Sequence, residues 1–346
     1  MTHVLVVRLD NDGDVLVTGP AVRAVAAGAQ RVTMLCGPAG RQAAELLPGV
    51  DHLEEYRAVW IDPDPPPLDA YATLDLIGQL GARAIDRALI FTSFHQSPLP
   101  AALLLRMAGV PEIAAISEDY PGSLLDVRHR VPDDVHEVER ALSLAATLGY
   151  TLAPGDDDGL RVDHGGAGEQ LRPDGSYVVV HPGASVSARA WAPERAAELV
   201  AALAANGRQV VVTGGPGETD LTAQVAGPPR AEVTDLGGAT SLAELAGVLH
   251  GAQAVVVGNT GPAHLAASVG TPVVSLFAPT VPAVRWRPWR VPHTLHHREV
   301  ACAGCRARQC PVPGHPCLDD VSAGEVLEAL DALIDQPSAS AVRAAS

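Results

Sequence analysis

One loop of this sequence combines the residue types that bind a phosphate group. It has the sequence Gly-Asn-Thr-Gly-Pro-Ala-His at 258–264 and lies between two apolar segments, a pattern that predicts strand, tight loop, helix and strand. The two glycines allow a tight turn, Thr260 can cap the helix, and Pro262 suits a first helical position. The free N–H groups and the dipole of such a helix favour an anion. Spacing alone also fits a plain structural corner, so the neighbouring motifs must decide.

Three further polar segments follow predicted strands. They are Arg-Leu-Asp-Asn-Asp-Gly-Asp-Val at 8–15, His-Pro-Gly-Ala-Ser at 181–185 with its continuation to 191, and Thr-Gly-Gly-Pro-Gly-Glu at 213–218. In parallel α/β sheets, ligands bind beyond the carboxyl ends of the strands. All four segments are therefore candidate binding positions.

Short apolar runs alternate with helical patterns on both sides of a glycine-rich polar stretch at 163–175. This alternation predicts parallel sheets with right-handed crossovers, and hence two doubly wound α/β domains facing a cleft. We predict a first domain at 1–172, a second at 177–335, and a disordered tail at 336–346.

The overall charge excludes one class of partner. The 346 residues include no lysine, and 24 basic residues against 40 acidic ones give a net charge of −16, which argues against nucleic acid. An anionic ligand would need a local positive site. No apolar run reaches the roughly 18 to 20 residues that a membrane span requires, and the first residues lack the pattern of a signal peptide. We therefore expect a cytoplasmic protein with no stable membrane insertion.

Four of the five cysteines lie close together near the end of the sequence. Cys302, Cys305, Cys310 and Cys317 have the spacing Cys-x2-Cys-x4-Cys-x6-Cys. Four thiols so near one another suit a tetrahedral zinc ion, but the spacing is not the paired one typical of zinc sites. Reduced thiols, disulfides and a structural zinc all stay open, and Cys36 is predicted to be a core residue.

The order of these motifs resembles glycosyltransferase family 9, the ADP-heptose-dependent heptosyltransferases and their relatives. The matching segments are 4–9 with 13–15, 181–184, 213–218, 258–264 and Leu-Phe-Ala-Pro-Thr at 276–280. The resemblance implies the GT-B fold, with two Rossmann-like domains. It also implies that the first domain binds mainly the acceptor, that the second binds the nucleotide sugar, and that transfer proceeds with inversion and without a metal or other cofactor.

The general base of the family matches Asp14. An acceptor hydroxyl must lose its proton as it attacks the anomeric carbon, and a carboxylate held nearby can take that proton. The alternative is a carboxylate that only stabilises the start of a helix. Asp10 and Asp12 are expected to be solvated or capping residues.

The donor-binding residues carried over from the family lie in the second domain: Ser185, Arg189, Glu218, Asn259, Thr260, Gly261 and His264. Arg189 stands where the family often has lysine, and it keeps the charge that stabilises a departing diphosphate. Asn259 replaces an aspartate found in many members, which leaves the backbone cradle intact. His264 lies one helical turn beyond Thr260, either facing the ligand or packed under the loop. Glu218 matches a position near the nucleoside.

The expected reaction is transfer of a sugar, a heptose, from an ADP-linked donor to a glycan or metabolite. His95 and Gln96 are our candidates for acceptor contacts. A nucleotide-sugar 2-epimerase would share the fold, and a catalytically inactive binding protein would share the motifs. A nicotinamide oxidoreductase is disfavoured because Asp-Asn-Asp-Gly-Asp, rather than Gly-x-Gly-x-x-Gly, follows the first strand.

Overall fold

Two six-stranded sheets organise the protein in a computed structural model that describes residues 2–62 and 64–335. The chain divides into two units at Asp163–His164, within the glycine-rich stretch where the sequence indicates a boundary. The predicted tail at 336–346 lies outside the described residues.

In the first unit all strand pairs are parallel, and the strand order is β3-β2-β1-β4-β5-β6. The strands are β1 (His3–Arg8), β2 (Arg31–Cys36), β3 (His52–Glu55), β4 (Arg87–Ile90), β5 (Glu112–Ile116) and β6 (Val127–His129). The helices are α1 (Asp12–Gly28), α2 (Arg41–Leu46), α3 (Ala70–Ala82), α4 (Leu99–Met107) and α5 (Glu137–Thr147).

The second unit repeats this arrangement, with parallel strands in the order β12-β11-β10-β7-β8-β9. Its strands are β7 (Tyr177–His181), β8 (Gln209–Gly214), β9 (Val233–Gly237), β10 (Val255–Gly258), β11 (Val273–Leu276) and β12 (His293–His296). Its helices are α6 (Pro193–Ala205), α7 (Thr219–Ala226), α8 (Leu242–Gly251), α9 (Gly261–Ser268), α10 (Ala283–Trp286), α11 (Pro316–Asp319) and α12 (Ala323–Ile334).

The central strands are buried on both faces, which explains their continuous apolar sequences. Every residue of β1 is buried, and so is every residue of β7 and β10. Each unit has its own apolar core between sheet and helices. Helix starts are set by local side chains, as where Asn11 accepts a hydrogen bond from the Asp14 amide at 3.4 Å at the start of α1.

Both sheets reverse their winding direction beside their first strand. From β1 the chain adds β2 and β3 on one side, and it then returns to the other side of β1 for β4, β5 and β6. The second sheet does the same, with β8 and β9 on one side of β7 and β10, β11 and β12 on the other. At such a switch point, the loops after the two central strands diverge and leave a crevice for ligands. The polar segments at 8–15 and 258–264 both begin at a switch point.

Candidate functional site

The switch point of the first unit brings together three polar side chains that are distant in sequence. Arg8 ends β1, Asp14 lies in the first turn of α1, and Ser93 follows β4. The Arg8 guanidinium donates to Asp14 Oδ1 at 2.7 Å and to Ser93 Oγ at 3.1 Å, while Ser93 Oγ donates to the same Asp14 oxygen at 3.2 Å. The Asp14 carboxylate is thus held in a fixed position at the carboxyl edge of the sheet.

Asp10 belongs to the same cluster, which corrects our expectation that it is solvated. It is buried, and its carboxylate lies 2.8 Å from Arg8 Nε. Burial raises the pKa of Asp10, although the Arg8 charge opposes that change. Burial alone would lower the pKa of Arg8, but the carboxylates of Asp10 and Asp14 outweigh it and the net shift is upward. The guanidinium is therefore a permanent charge between two acids.

Asp12 is separate from this cluster. Its Oδ1 accepts the Ala43 backbone N–H at 3.0 Å, so it connects α1 to α2. Burial raises the pKa of Asp12 to about 6, and the hydrogen bond from Ala43 only partly opposes that shift. Its role is consistent with the structural one predicted from the sequence.

The two predicted acceptor residues lie in the loop after β4. His95 is exposed, and its ring contacts Phe94 with the ring centroids 5.3 Å apart. Gln96 donates to Asp10 Oδ1 and accepts the Ser93 backbone N–H at 3.0 Å. Gln96 thus positions the acidic cluster, and His95 remains the exposed member of the pair.

The switch point of the second unit joins two of the predicted donor segments. A Cβ atom at Gly258, the last residue of β10, would lie only 2.9 Å from the backbone oxygen of Arg189. Only glycine therefore permits the loop that carries Arg189 to pack against the end of β10. Arg189 itself is half-buried and Ser185 is exposed in the same loop.

The start of α9 contains buried polar groups that lack hydrogen-bond partners. Thr260 has extended backbone angles and precedes the helix, but its side chain does not cap it, contrary to our expectation. Thr260 Oγ1, Asn259 Oδ1 and Thr280 Oγ1 are all buried and have no partner among residues 2–62 and 64–335. A buried polar group without a partner costs free energy, so Thr260 Oγ1 and Asn259 Oδ1 are the unfavourable atoms at the start of α9.

His264 lies under the loop rather than on an open surface. It is 6% exposed, and its ring centroid is 6.2 Å from that of Trp286 in α10. Asn259 is also buried, and its amide donates to the Ala278 carbonyl at 3.4 Å. Both side chains are therefore buried next to the loop, while Gly261 begins the helix itself.

A further histidine, which was not among the predicted site residues, ends β7. His181 is buried, and its Nδ1 lies 2.9 Å from Thr213 Oγ1. Burial lowers its pKa to about 4, and the nearby Glu218 carboxylate opposes that shift only partly. The imidazole is neutral at physiological pH, so it acts here as a hydrogen-bonding group. Its position at the carboxyl end of a central strand is the signal that could have identified it.

Glu218 connects the remaining two segments. Its Oε2 accepts the Gly215 backbone N–H at 2.7 Å, and its carboxylate lies where a side chain at Gly183 would have to be. Glu218 thus packs against the loop after β7 and caps the turn before α7. Apart from the exposed Ser185, the predicted donor residues are held by contacts within the second unit.

The four clustered cysteines line one cavity of about 20 Å³ together with Ala188 and Thr280. All of them are free thiols. In the described part of the chain, no three His, Cys, Asp or Glu side chains form a group that could hold a metal ion. Backbone hydrogen bonds of 3.1 Å join this segment to both loops, from Ala188 to Arg308 and from Arg306 to Thr280. The cysteine segment therefore supports the loops around the start of α9.

No helix within residues 2–62 and 64–335 combines the length and the apolar composition needed to cross a bilayer.

Comparison with known proteins points to one family. The model of glycosyltransferase family 9 (heptosyltransferase) matches residues 73–315, more than half of the chain. The chain is 34% identical to lipopolysaccharide heptosyltransferase 3 of Escherichia coli over 146 residues, 41% of each protein. It is 30% identical to lipopolysaccharide heptosyltransferase 1 of Pseudomonas aeruginosa over 226 residues, 62% of this chain and 61% of the relative. The first of these alignments thus spans about two fifths of the relative's length.

Solved structures confirm the fold. ADP-heptose heptosyltransferase II of E. coli has a TM-score of 0.76 at 20% identity, over 97% of this chain and 99% of that one. The E. coli heptosyltransferase WaaC with ADP has a TM-score of 0.69 at 22% identity, over 96% and 97%. A UDP-GlcNAc 2-epimerase from Methanocaldococcus jannaschii is a more distant match, with a TM-score of 0.53 at 9% identity over 98% and 94%. These likenesses confirm the predicted α/β class, with two Rossmann-like sheets as in the GT-B fold.

Proposed function

Because this chain belongs to glycosyltransferase family 9, we propose that it transfers a heptose from an ADP-linked donor to a hydroxyl group of a glycan or metabolite. The curated relatives are named heptosyltransferases, and a solved relative was crystallised with ADP. The observation that carries the proposal is the meeting of the Arg189 loop with the end of β10 at Gly258, beside the Thr260 hydroxyl that has no partner in the described residues. The epimerase alternative has only a distant likeness of fold in its favour.

The donor diphosphate binds at the start of α9 in this proposal. The Thr260 hydroxyl and the free N–H groups of the first helical turn donate to phosphate oxygens, and the helix dipole adds favourable potential. Arg189, whose backbone packs on Gly258, supplies the positive charge that the strongly acidic chain must provide locally. Ser185 and Glu218 complete the donor side as proposed contacts with the sugar nucleotide.

Asp14 is the proposed general base. It takes the proton from the acceptor hydroxyl while the oxygen attacks the anomeric carbon and the diphosphate leaves. A single displacement of this kind inverts the configuration at that carbon. Arg8 and Ser93 fix the position of the carboxylate. His95 and Gln96 stay proposed acceptor-side residues.

No cofactor or metal takes part in this scheme, because Arg189 and the helix start stabilise the leaving diphosphate. Cys302, Cys305, Cys310 and Cys317 are free thiols and form no group that could hold a metal ion in the described part of the chain, so a structural zinc is not part of the proposal. The partners are small molecules, and the cytoplasmic location is part of the proposal.

Thermal denaturation with ADP, UDP, GDP and NAD tests the donor class. A ligand that binds only the native protein stabilises it by about 2.7 kcal/mol at 100 times its Kd. We expect ADP to raise the Tm most. A shift with NAD alone would support an oxidoreductase and overturn the proposal.

Two variants, each lacking one hydroxyl at an end of α9, test where ADP binds. Thr260→Val removes a proposed donor to phosphate, and such bonds to charged groups contribute roughly 1.5–3 kcal/mol, so ADP affinity should fall about ten-fold or more. Ser268→Ala removes a hydroxyl that donates to the Leu265 carbonyl at 2.7 Å at the other end of the helix, and it should leave ADP affinity unchanged. Equal losses in both variants would contradict binding at the helix start.

A further inference from the structure

A cavity of about 370 Å³ opens in the first unit between the carboxyl end of β3 and the first turns of α3. Tyr56, Pro66, Pro67, Leu68 and Leu76 form its apolar wall. The Tyr56 hydroxyl lies 2.9 Å from Thr73 Oγ1, and this hydrogen bond connects the strand end to the helix. The predicted acceptor residues are not among those that line it, and the proposed mechanism does not use it.

The cavity lies at the same edge of the sheet as the proposed base. β2 alone separates β3 from β1, and its neighbours pair with it in parallel. Adjacent strands are about 4.8 Å apart, so the carboxyl ends of β3 and β1 are separated by about 10 Å. A ligand that reaches both the cavity and Asp14 must therefore be extended.

The charges around the cavity are mainly negative. Glu55, Asp69 and Asp75 line it, against a single guanidinium from Arg57. Arg57 already has an acidic neighbour, since its Nε lies 3.6 Å from the carboxylate of Asp62. Glu55 also has a partner of opposite charge, since Arg41 Nη1 lies 3.5 Å from its carboxylate. The carboxylates of Asp69 and Asp75 are therefore the ones left to repel a carboxylated or phosphorylated ligand in this cavity.

The apolar wall reaches solvent at Leu68, which is 56% exposed. Such surfaces suit the apolar faces of sugar rings, while the carboxylates suit their hydroxyl or ammonium groups. The cavity thus combines both kinds of contact that a sugar makes.

We propose that this cavity binds the part of the acceptor remote from the reacting hydroxyl, and that this part consists of uncharged or amine-bearing sugar units and not acidic ones. The inference rests on the proposed glycosyl transfer. Binding energy gained in the cavity would orient the acceptor, so that its reacting hydroxyl lies beside Asp14.

Three disaccharides serve as probes: the glucosamine disaccharide, its N-acetylated form and a uronic acid disaccharide. Their Kd values are measured on the full chain by calorimetry or saturation-transfer NMR. The variants are Asp75→Asn and Asp75→Arg. Asp75 is exposed and accepts a hydrogen bond only from Gln79 among the contacts described, at 2.7 Å, so these changes leave the buried face of α3 intact. Glu198→Arg on α6 of the second unit is the matched charge reversal, at a side chain that is 55% exposed.

We expect the wild-type protein to bind both non-acidic disaccharides more tightly than the acidic one. Asp75→Arg should shift the ratio of amine to acid affinity by about ten-fold toward the acid, with Asp75→Asn in between and Glu198→Arg without effect. Tighter binding of the acid by the wild type, no binding of any probe, or an unchanged ratio in Asp75→Arg would each overturn the proposal. The ADP-induced rise in Tm reports separately on donor binding. If the disaccharide experiment fails while ADP still raises the Tm, the proposed transfer stands. If ADP does not raise the Tm of the wild type, that result counts against the transfer itself.

Discussion

Replacing Asp14 with asparagine separates its proposed chemical role from its structural one. The asparagine retains Oδ1, which accepts from Arg8 at 2.7 Å and from Ser93 at 3.2 Å, but it cannot take a proton from a hydroxyl. Arg8 keeps its second carboxylate, because Asp10 lies 2.8 Å from its Nε. The geometry of the cluster should therefore survive the change.

The expected loss of stability and the expected loss of rate differ enough to be distinguished. Weakening one charge-assisted hydrogen bond while keeping its geometry should cost about 1–2 kcal/mol of stability, which a domain with about 5–15 kcal/mol tolerates. General base catalysis contributes roughly 10²–10⁴ in rate, or about 3–5 kcal/mol at 1.36 kcal/mol per factor of ten. We expect kcat to fall by roughly 10²–10⁴ while the protein stays folded at 25 °C.

The assay measures ADP released from ADP-heptose with the disaccharide that the wild-type protein accepts best. The Tm and the ADP affinity are measured on the same preparations, and both should stay near the wild-type values. Asp12→Asn is the matched control, since it makes the same change two residues earlier in the same helical turn. The asparagine retains the Oδ1 that accepts the Ala43 backbone N–H at 3.0 Å, and Asp12 lies outside the Arg8 cluster, so the variant should keep full activity.

Two results would refute this reasoning. If Asp14→Asn keeps turnover within a few-fold of wild type, Asp14 is not the base. If Asp12→Asn loses activity as strongly as Asp14→Asn, the effect belongs to the start of α1 and not to one carboxylate.

Three further predictions concern other parts of the chain. First, because burial lowers the pKa of His181 to about 4, its imidazole binds fewer protons in the folded protein than in the unfolded one between pH 6.5 and 4. The wild type should therefore lose more stability than His181→Asn as the pH falls through that range, and the His181 Cε1 resonance, assigned with the same variant, should not titrate above pH 5 in NMR spectra. Second, iodoacetamide should modify the exposed Cys302 and Cys305 first and the buried Cys36 and Cys317 last. The reason is that burial raises the pKa of the Cys36 and Cys317 thiols to about 11. Equal modification rates of all four cysteines, measured by peptide mass spectrometry, would contradict the structure. Third, EDTA should leave the initial rate of transfer unchanged, and recovery of a lost rate on adding Mg²⁺ would show that a metal takes part.

Several elements could not be predicted from local pattern. Helix α3 buries only Leu76 and Leu80, and β3 and β12 contain no fully buried residue, so their sequences lack a strong apolar period. They form because the sheet offers an edge to pair with and a surface to cover. The cavity between β3 and α3 could consequently not be predicted from the sequence.

The structure of the loop at 258–264 was easier to predict than the contacts around Asp14. The loop at 258–264 carries its own information, because glycine, threonine and proline each fit one position in a strand-loop-helix connection. Even there, the predicted cap by Thr260 was wrong, and its hydroxyl is buried without a partner in the described residues. Whether a side chain caps a helix or faces a ligand depends on rotamers that the surrounding packing sets.

By itself the sequence determined that this protein builds parallel sheets from alternating strands and helices, and that its polar segments lie at the carboxyl ends of the strands. Only the tertiary structure decided that Arg8 meets Ser93, 85 residues away, and that both hold Asp14. An apolar run indicates that a strand is buried, but it does not specify which strand pairs with it. The strand order, which places β4 beside β1, is set by the packing of the whole sheet.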